Sequence, residues 1–463
     1  MPIASPARTG SEQSSARRVA AVLLLAMFLL YLSNLRFIST ADTTATRYVP
    51  FSIVMRGRLD VDPWIALYVE PYQAGRLPWG LYFAQQARGH WMSSYPVLTP
   101  VVVAPLYIPA ALWLRSKGQV SADQMRFYAE AMEKVSAALL AALSVAILYM
   151  GLRKVATARA ALAIALIYGA ASSTWNISSQ ALWLHGLTEL SLALLLWALV
   201  SDSGNRWGAF WIGLALALAM ANKPTNAVLA LPLMVYFLWQ HRERWLPFLA
   251  PIATLGALAL GYNFYYFGNL TGGYGTAFRS VGYSGVAGAF DGNLATGALG
   301  LLISPSRGAI WFYPWIIFAL WGAVRMWREQ RWPWSRFVVI GAVAFFLTYA
   351  QVGRWYGGYC FGPRYLADIM PLLAFFLLAA WPAITARSAL RSALLVTVLL
   401  AFGVQIVGAY FYPNGAWDSE PVSVDQQPAR LWDWSDPEII RTARAGPASS
   451  NLMRRLRGDY GTK

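Results

Sequence analysis

The chain returns repeatedly to apolar runs of bilayer length, with its polar residues confined between them. Residues 19–38 form the first run, and about 20 apolar residues suffice to cross the hydrocarbon core as a helix. Backbone groups in that solvent must be satisfied internally, so runs of this length point to a helical bundle. Of 463 residues, 57% are hydrophobic and 13% charged, about half the charge of a water-soluble domain. The expectation is an all-α polytopic membrane protein.

Further spans are expected at 134–152, 159–175, 181–200, 207–221, 225–239, 245–267, 308–327, 337–352, 367–384 and 388–410, about eleven in all. Residues 95–114 are ambiguous: apolar, yet carrying Pro96, Pro100, Pro105 and Pro109, each of which removes a helical hydrogen bond. Read as re-entrant or interfacial, this run leaves the short loops around Arg153, Lys154, Arg159, Arg242, Arg325, Arg331 and Arg387 on one side. Short basic loops mark the cytoplasm, and Arg17 and Arg18 put the N-terminus there too.

The divisions that follow are a disordered cytoplasmic N-terminus over 1–18, a transmembrane domain over 19–410, and a periplasmic tail over 411–463. Residues 39–132 make a large first periplasmic loop. The first run lacks a small-residue cleavage site and is expected to remain as an anchor. The formal net charge of +16 fits this sidedness and membrane lipids better than nucleic acid. Cys360 is the one cysteine, so no intramolecular disulfide forms. Residues 267–300 are glycine-rich and read as a loop, either a mobile lid or a loose connector. In the tail, Asp436 is placed to cap a helix beginning at Glu438.

With this topology nearly every unusual polar group falls on the outer face. No Walker loop and no strand–GxGxxG–helix unit is present, so a soluble nucleotide sugar is not the expected donor. Asp42 follows the first span and is the best general base, since a carboxylate can take the proton of an attacking hydroxyl. Its alternative is a helix-end aspartate paired with Arg47. Arg364 and Arg307 sit where the chain re-enters the membrane, and guanidinium suits phosphate. Snorkelling at the interface is the alternative for both. Lys223 is a cation at an outer helix end. His185 and Glu189 share a helical face one turn apart, which fits a relay, a metal site or a buried hydrogen bond. Tyr95, Trp355 and Tyr262 read as belt and packing residues.

Taken in order, the acidic loop opening at Asp42, the Tyr-Pro-Val-Leu-Thr-Pro run from Tyr95 and the Ser-Gln-Ala-Leu-Trp-Leu-His-Gly run from Ser179 form a recognisable series. Tyr262-Asn263-Phe264, Ser304-Pro305-Ser306-Arg307-Gly308 and Phe361-Gly362-Pro363-Arg364-Tyr365 complete it. The series resembles the GT-C superfamily of membrane glycosyltransferases, in its bacterial protein-O-mannosyltransferase and aminoarabinose-transferase-like branch. The resemblance spans about residues 19–410. It implies inverting transfer of a sugar from a polyprenyl-phosphate donor to a glycan, lipid or protein hydroxyl on the periplasmic face of a bacterial inner membrane.

It also implies Asp42 as base, phosphate contacts from Arg364, Arg307 and Lys223, and substrate or relay contacts from Arg47, His185, Glu189 and Tyr365. Many members carry a second acidic residue, but here Thr43 and Thr44 follow Asp42, and His185 stands at the second-loop position. That departure leaves dependence on a divalent metal open. A lipid-linked glycan flippase, and a polymerase or ligase using a diphosphate-linked donor, are the rival readings.

Overall fold

The structure, a computed structural model, describes residues 10–73, 80–280, 282–450 and 452–453. Among the described residues, seven helices are long and apolar enough to cross a membrane. They are Glu12–Leu32, Leu98–Ser116, Ala122–Val155, Leu184–Ser201, Arg242–Phe267, Arg364–Ala386 and Ser388–Phe411. Shorter apolar helices at Ala158–Ala170, Leu294–Ile303 and Ser335–Ala350 pack among them. The protein is a polytopic helical bundle. An expected total of about eleven spans draws on shorter helices as well, such as Arg206–Asn222 and Ala227–Gln240.

The first helix already runs from Gly10, so the second half of the N-terminus expected to be disordered is helical; residues 1–9 lie outside the described ones. The proline-rich run is helical in three pieces, Leu98–Val103, a tight turn at Ala104–Tyr107, and Ile108–Ser116. Its inner face packs on the Thr44–Arg56 helix through Phe51 and Tyr107, whose rings meet edge to face at 4.9 Å. Around that contact the first loop builds its own apolar core, with Tyr48, Trp64 and Phe83 buried. The loop also holds a hairpin absent from the all-helical expectation: Ala84–Ala87 pairs antiparallel with His90–Ser93. Arg88 and Gly89 turn it with φ of 50° and 78°, and two successive positive φ angles are what a two-residue hairpin turn requires.

Ala122–Val155 is the spine. Ser121 and Gln124 cap its start reciprocally, and its 34 residues give a length of about 50 Å, longer than a bilayer core. Its first turns carry Glu130 and Glu133 to the base of the first loop, where Arg47 lies. Glu133 meets Arg47 at 3.3 Å there. The main core gathers side chains from Ala158–Ala170, Leu184–Ser201, Ile316–Glu329 and Met370–Ala386 around buried Trp315 and Phe375.

The glycine-rich stretch is partly helical, at Tyr274–Ser280 and Leu294–Ile303. The tail is not a separate soluble piece, because Trp417, Val424 and Leu431 are buried in the main core. Pro437, not Asp436, occupies the cap position of the Glu438–Ala445 helix; the Asp436 carboxylate pairs with Arg441 instead.

Candidate active site

The Thr43 hydroxyl accepts the Thr40 N–H at 3.4 Å and donates to the Thr40 carbonyl at 3.1 Å, folding Ala41–Thr43 into a single tight turn after the first span. Arg47 fixes that turn by donating to the Thr40 carbonyl at 3.1 Å while paired with Glu133 and Glu130. It does not pair with Asp42. The turn leaves Asp42 facing a cavity of about 2130 Å³.

Three donors converge on this carboxylate. Tyr82 and Tyr95 give their hydroxyl hydrogens to Oδ1 at 2.7 and 2.9 Å, and Arg364 Nη1 reaches Oδ2 at 2.7 Å. Burial pushes the Asp42 pKa up. The Arg364 charge and the three hydrogen bonds outweigh it, leaving the pKa below the usual carboxylate value. Asp42 is therefore ionised at neutral pH.

Arg364 arrives from the far end of the sequence on the turn Arg364–Ile369. Its guanidinium lies 4.3 Å from the Trp183 ring, a cation–π contact that orients the plane. Its Nε finds no hydrogen-bond partner among the described residues. One helical turn further on, Asp368 bridges His185 Nδ1 at 2.6 Å and Lys223 Nζ at 2.7 Å. Lys223 sits in the break between Arg206–Asn222 and Ala227–Gln240, where Pro224 interrupts the helix, and lies 4.7 Å from the Tyr349 ring. Tyr365 stacks on that same ring at 4.6 Å.

Asp42, Arg47, His185, Lys223, Arg364 and Tyr365 all line the one cavity. Two other candidates do not. Glu189 is wholly buried and accepts from Ser178 at 2.6 Å and Tyr168 at 3.0 Å, so the expected pairing with His185 is absent. His185 turns to Asp368 instead. Arg307 is also wholly buried, held by Glu438 and Asp418 outside the cavity. A carboxylate pair brought by the tail satisfies the charge that phosphate was expected to satisfy.

Sequence reasoning missed Tyr82, Trp183 and Asp368 and took Tyr95 for packing. Asp368 had a readable signal, since four residues after Arg364 is one helical turn. Tyr82 had none.

The cavity is walled on one side by apolar side chains of the Trp245–Phe267 helix, Ile252, Leu255, Leu258 and Ala259, with Ala217 and Met220 adjoining. Tyr274, Phe278 and Tyr283 of the glycine-rich stretch cover it, and Tyr412, Pro413 and Asp425 of the tail close another side. The site thus couples an apolar groove to a polar centre.

The donor set does not suit a divalent ion. Asp42 pairs with Arg364, Asp368 with Lys223, Asp425 with Arg354, and Glu130 with Arg47. Among the described residues, Asp60, Asp62 and His90 do cluster at ligand spacing. They lie outside the cavity, and Arg56 and Arg58 already donate to Asp60.

The family model for dolichyl-phosphate-mannose-protein mannosyltransferases matches residues 132–264. The fold is similar to that of ArnT from Cupriavidus metallidurans, crystallised bound to undecaprenyl phosphate. The TM-score is 0.50 at 12% identity, over 88% of this chain and 67% of that one. No curated protein matches the sequence. The resemblance to the GT-C superfamily is borne out, and family model and fold together support a GT-C glycosyltransferase.

Proposed function

We propose that this protein transfers a sugar, with inversion, from a polyprenyl-phosphate donor to an acceptor hydroxyl of a glycan, lipid or protein. The observation that carries the reading is the Asp42–Arg364 pair at 2.7 Å, inside a cavity whose neighbouring wall is an apolar groove. The isoprenoid chain lies in the groove along Ile252, Leu255 and Leu258. The phosphate reaches the Arg364 guanidinium, and Lys223 lines the same cavity.

In the reaction the acceptor oxygen attacks the anomeric carbon as the bond to the phosphate oxygen breaks on the opposite face. Asp42 takes the acceptor proton, and polyprenyl phosphate departs with its negative charge facing Arg364. Phosphate on Arg364 competes with Asp42 for the guanidinium, so donor binding loosens the clamp on the base and makes it more basic when it is needed. Tyr82 and Tyr95 keep its orientation.

The reading places the N-terminus in the cytoplasm, the cavity at the periplasmic face of a bacterial inner membrane, and residues 95–114 dipping in without crossing. The reading favours a monophosphate donor over a diphosphate one, because the cavity's other cations already have carboxylate partners, Lys223 in Asp368 and Arg354 in Asp425. The test incubates purified protein with labelled polyprenyl-monophosphate and polyprenyl-diphosphate sugars. Transfer from the monophosphate alone is the expected result; turnover of neither donor by an intact preparation would sink the reading.

A further inference from the structure

Outside the cavity, Arg307 stands at the centre of a densely bonded polar cluster that touches the loop carrying Arg364. Residues 351–363 connect the Ser335–Ala350 helix to Arg364 and hold three glycines of positive φ, Gly357, Gly358 and Gly362. A loop of that composition does not fix its own shape. The tail supplies what it lacks. Glu438 Oε2 accepts the Gly362 N–H at 3.0 Å and also takes Arg307 Nη1. Arg307 in turn donates to the carbonyls of Tyr356 at 3.1 Å and Gly358 at 3.3 Å. Asp418 holds the other side of the guanidinium at 2.6 Å. Gly362 itself is pressed against Phe312, where a Cβ would come within 2.5 Å of the ring. Gly362 is two residues from Arg364, so the tail carboxylate pins one end of the loop's final turn directly and the other end through Arg307.

We propose that Glu438, acting with Arg307, is a positioning residue for the transfer: the tail clamps the 356–362 loop so that Arg364 is presented to Asp42 and to the donor phosphate. This rests on the proposed function for its kinetic consequence but not for its structural one, and the chain provides a probe that needs no substrate. Cys360, the only cysteine, lies inside the clamped loop, is buried, and has its thiol pKa pushed by burial up to about 11. Its modification by a maleimide therefore reports how often the loop opens.

The experiment uses the full-length protein in nanodiscs. Glu438→Ala should speed Cys360 modification about tenfold and raise KM for the polyprenyl-phosphate sugar by a similar factor, with a smaller change in kcat. Glu438→Gln, which keeps an acceptor for the Gly362 N–H, should stay within about twofold of wild type in both. If Glu438→Ala does not fold, Ser306→Ala serves: it removes only the hydroxyl that accepts the Glu438 N–H and should move both readouts the same way by about threefold.

An unchanged Cys360 rate overturns the proposal. So does a fall in kcat at constant KM, which is what mere loss of folded protein produces. Should wild-type protein neither bind nor use the lipid donor, the transferase reading fails, and the Cys360 rates alone then decide whether the clamp exists.

Discussion

Arg364 and Arg307 each follow a short proline-containing turn, each meets a carboxylate from a distant part of the chain, and each is placed by sequence where a span begins. The structure gives them opposite tasks, and counting donors shows why. Arginine offers five N–H directions. Arg307 uses them on the carbonyls of Ser306, Tyr356 and Gly358 and on Glu438 and Asp418, and nothing is left for a ligand. Arg364 spends one on Asp42 and leaves Nε without a partner, with Trp183 stacked on its face. Their carboxylates diverge as well. Asp42 is held below the ordinary carboxylate pKa despite burial. Burial drives Glu438 above it, with the neighbouring Asp418 adding to the rise against the pull of Arg307. One centre is built to exchange partners, the other to keep them.

The strongest test of that division is Asp42→Asn, which removes the base but keeps an acceptor for both tyrosines. Transfer should fall by about a hundredfold to ten-thousandfold while the lipid donor still binds, measured by single-turnover assay beside equilibrium binding. Full turnover would take Asp42 out of the mechanism. Arg307→Ala should act on the fold instead. Leaving two buried carboxyls without their cation costs about 3–5 kcal/mol, visible as a lower thermal midpoint in the same detergent. A normal midpoint would show that the two arginines do not differ as their donors suggest. Arg364→Ala should do the reverse. Donor affinity should weaken about ten- to hundredfold, with unfolding shifted by about 1 kcal/mol or less because the pair is partly exposed. A large loss of stability with normal donor affinity would make Arg364 the architectural residue.

How far this was readable follows from the range of each interaction. Bilayer-length apolar runs are a local property, and the bundle follows from them. Asp42, Lys223 and His185 lie at breaks next to spans, which is also local, and all three line the cavity. The distinction between Arg364 and Arg307 is not local: it depends on Glu438, which is 131 residues from Arg307, and a tail of soluble composition gives no hint that it enters the core. Tyr82 and Trp183 are invisible for the same reason, since a tyrosine or tryptophan near an interface is ordinary until its partner is known. The hairpin was legible in principle, because Arg88-Gly89 is a turn dipeptide between short extended runs, but four-residue strands fall beneath the apolar pattern that dominates the chain.

Two smaller effects sharpen the contrast. Because the folded pKa of Asp42 lies below its unfolded value near 3.9, its stabilising pair with Arg364 is complete above that value and is lost only as pH falls through the folded pKa. Donor binding and thermal midpoint should therefore show no inflection from this group between about pH 5 and 8. An Asp42-dependent step in that window, absent in Asp42→Asn, would mean that the carboxylate is not held as described.

The smallest effect belongs to Glu189, the candidate that shares a helical face with His185 yet lies outside the cavity. Its carboxylate accepts from Ser178 at Oε1 and from Tyr168 at Oε2, and a glutamine keeps the shape and one of the two acceptors. Glu189→Gln should leave kcat/KM within about twofold, measured beside His185→Gln, which breaks the bridge through Asp368 to Lys223 and should lower it further. A Glu189 effect as large as that of His185 would show that the reacting groups extend into the bundle, beyond the partner-exchanging centre and into the interior.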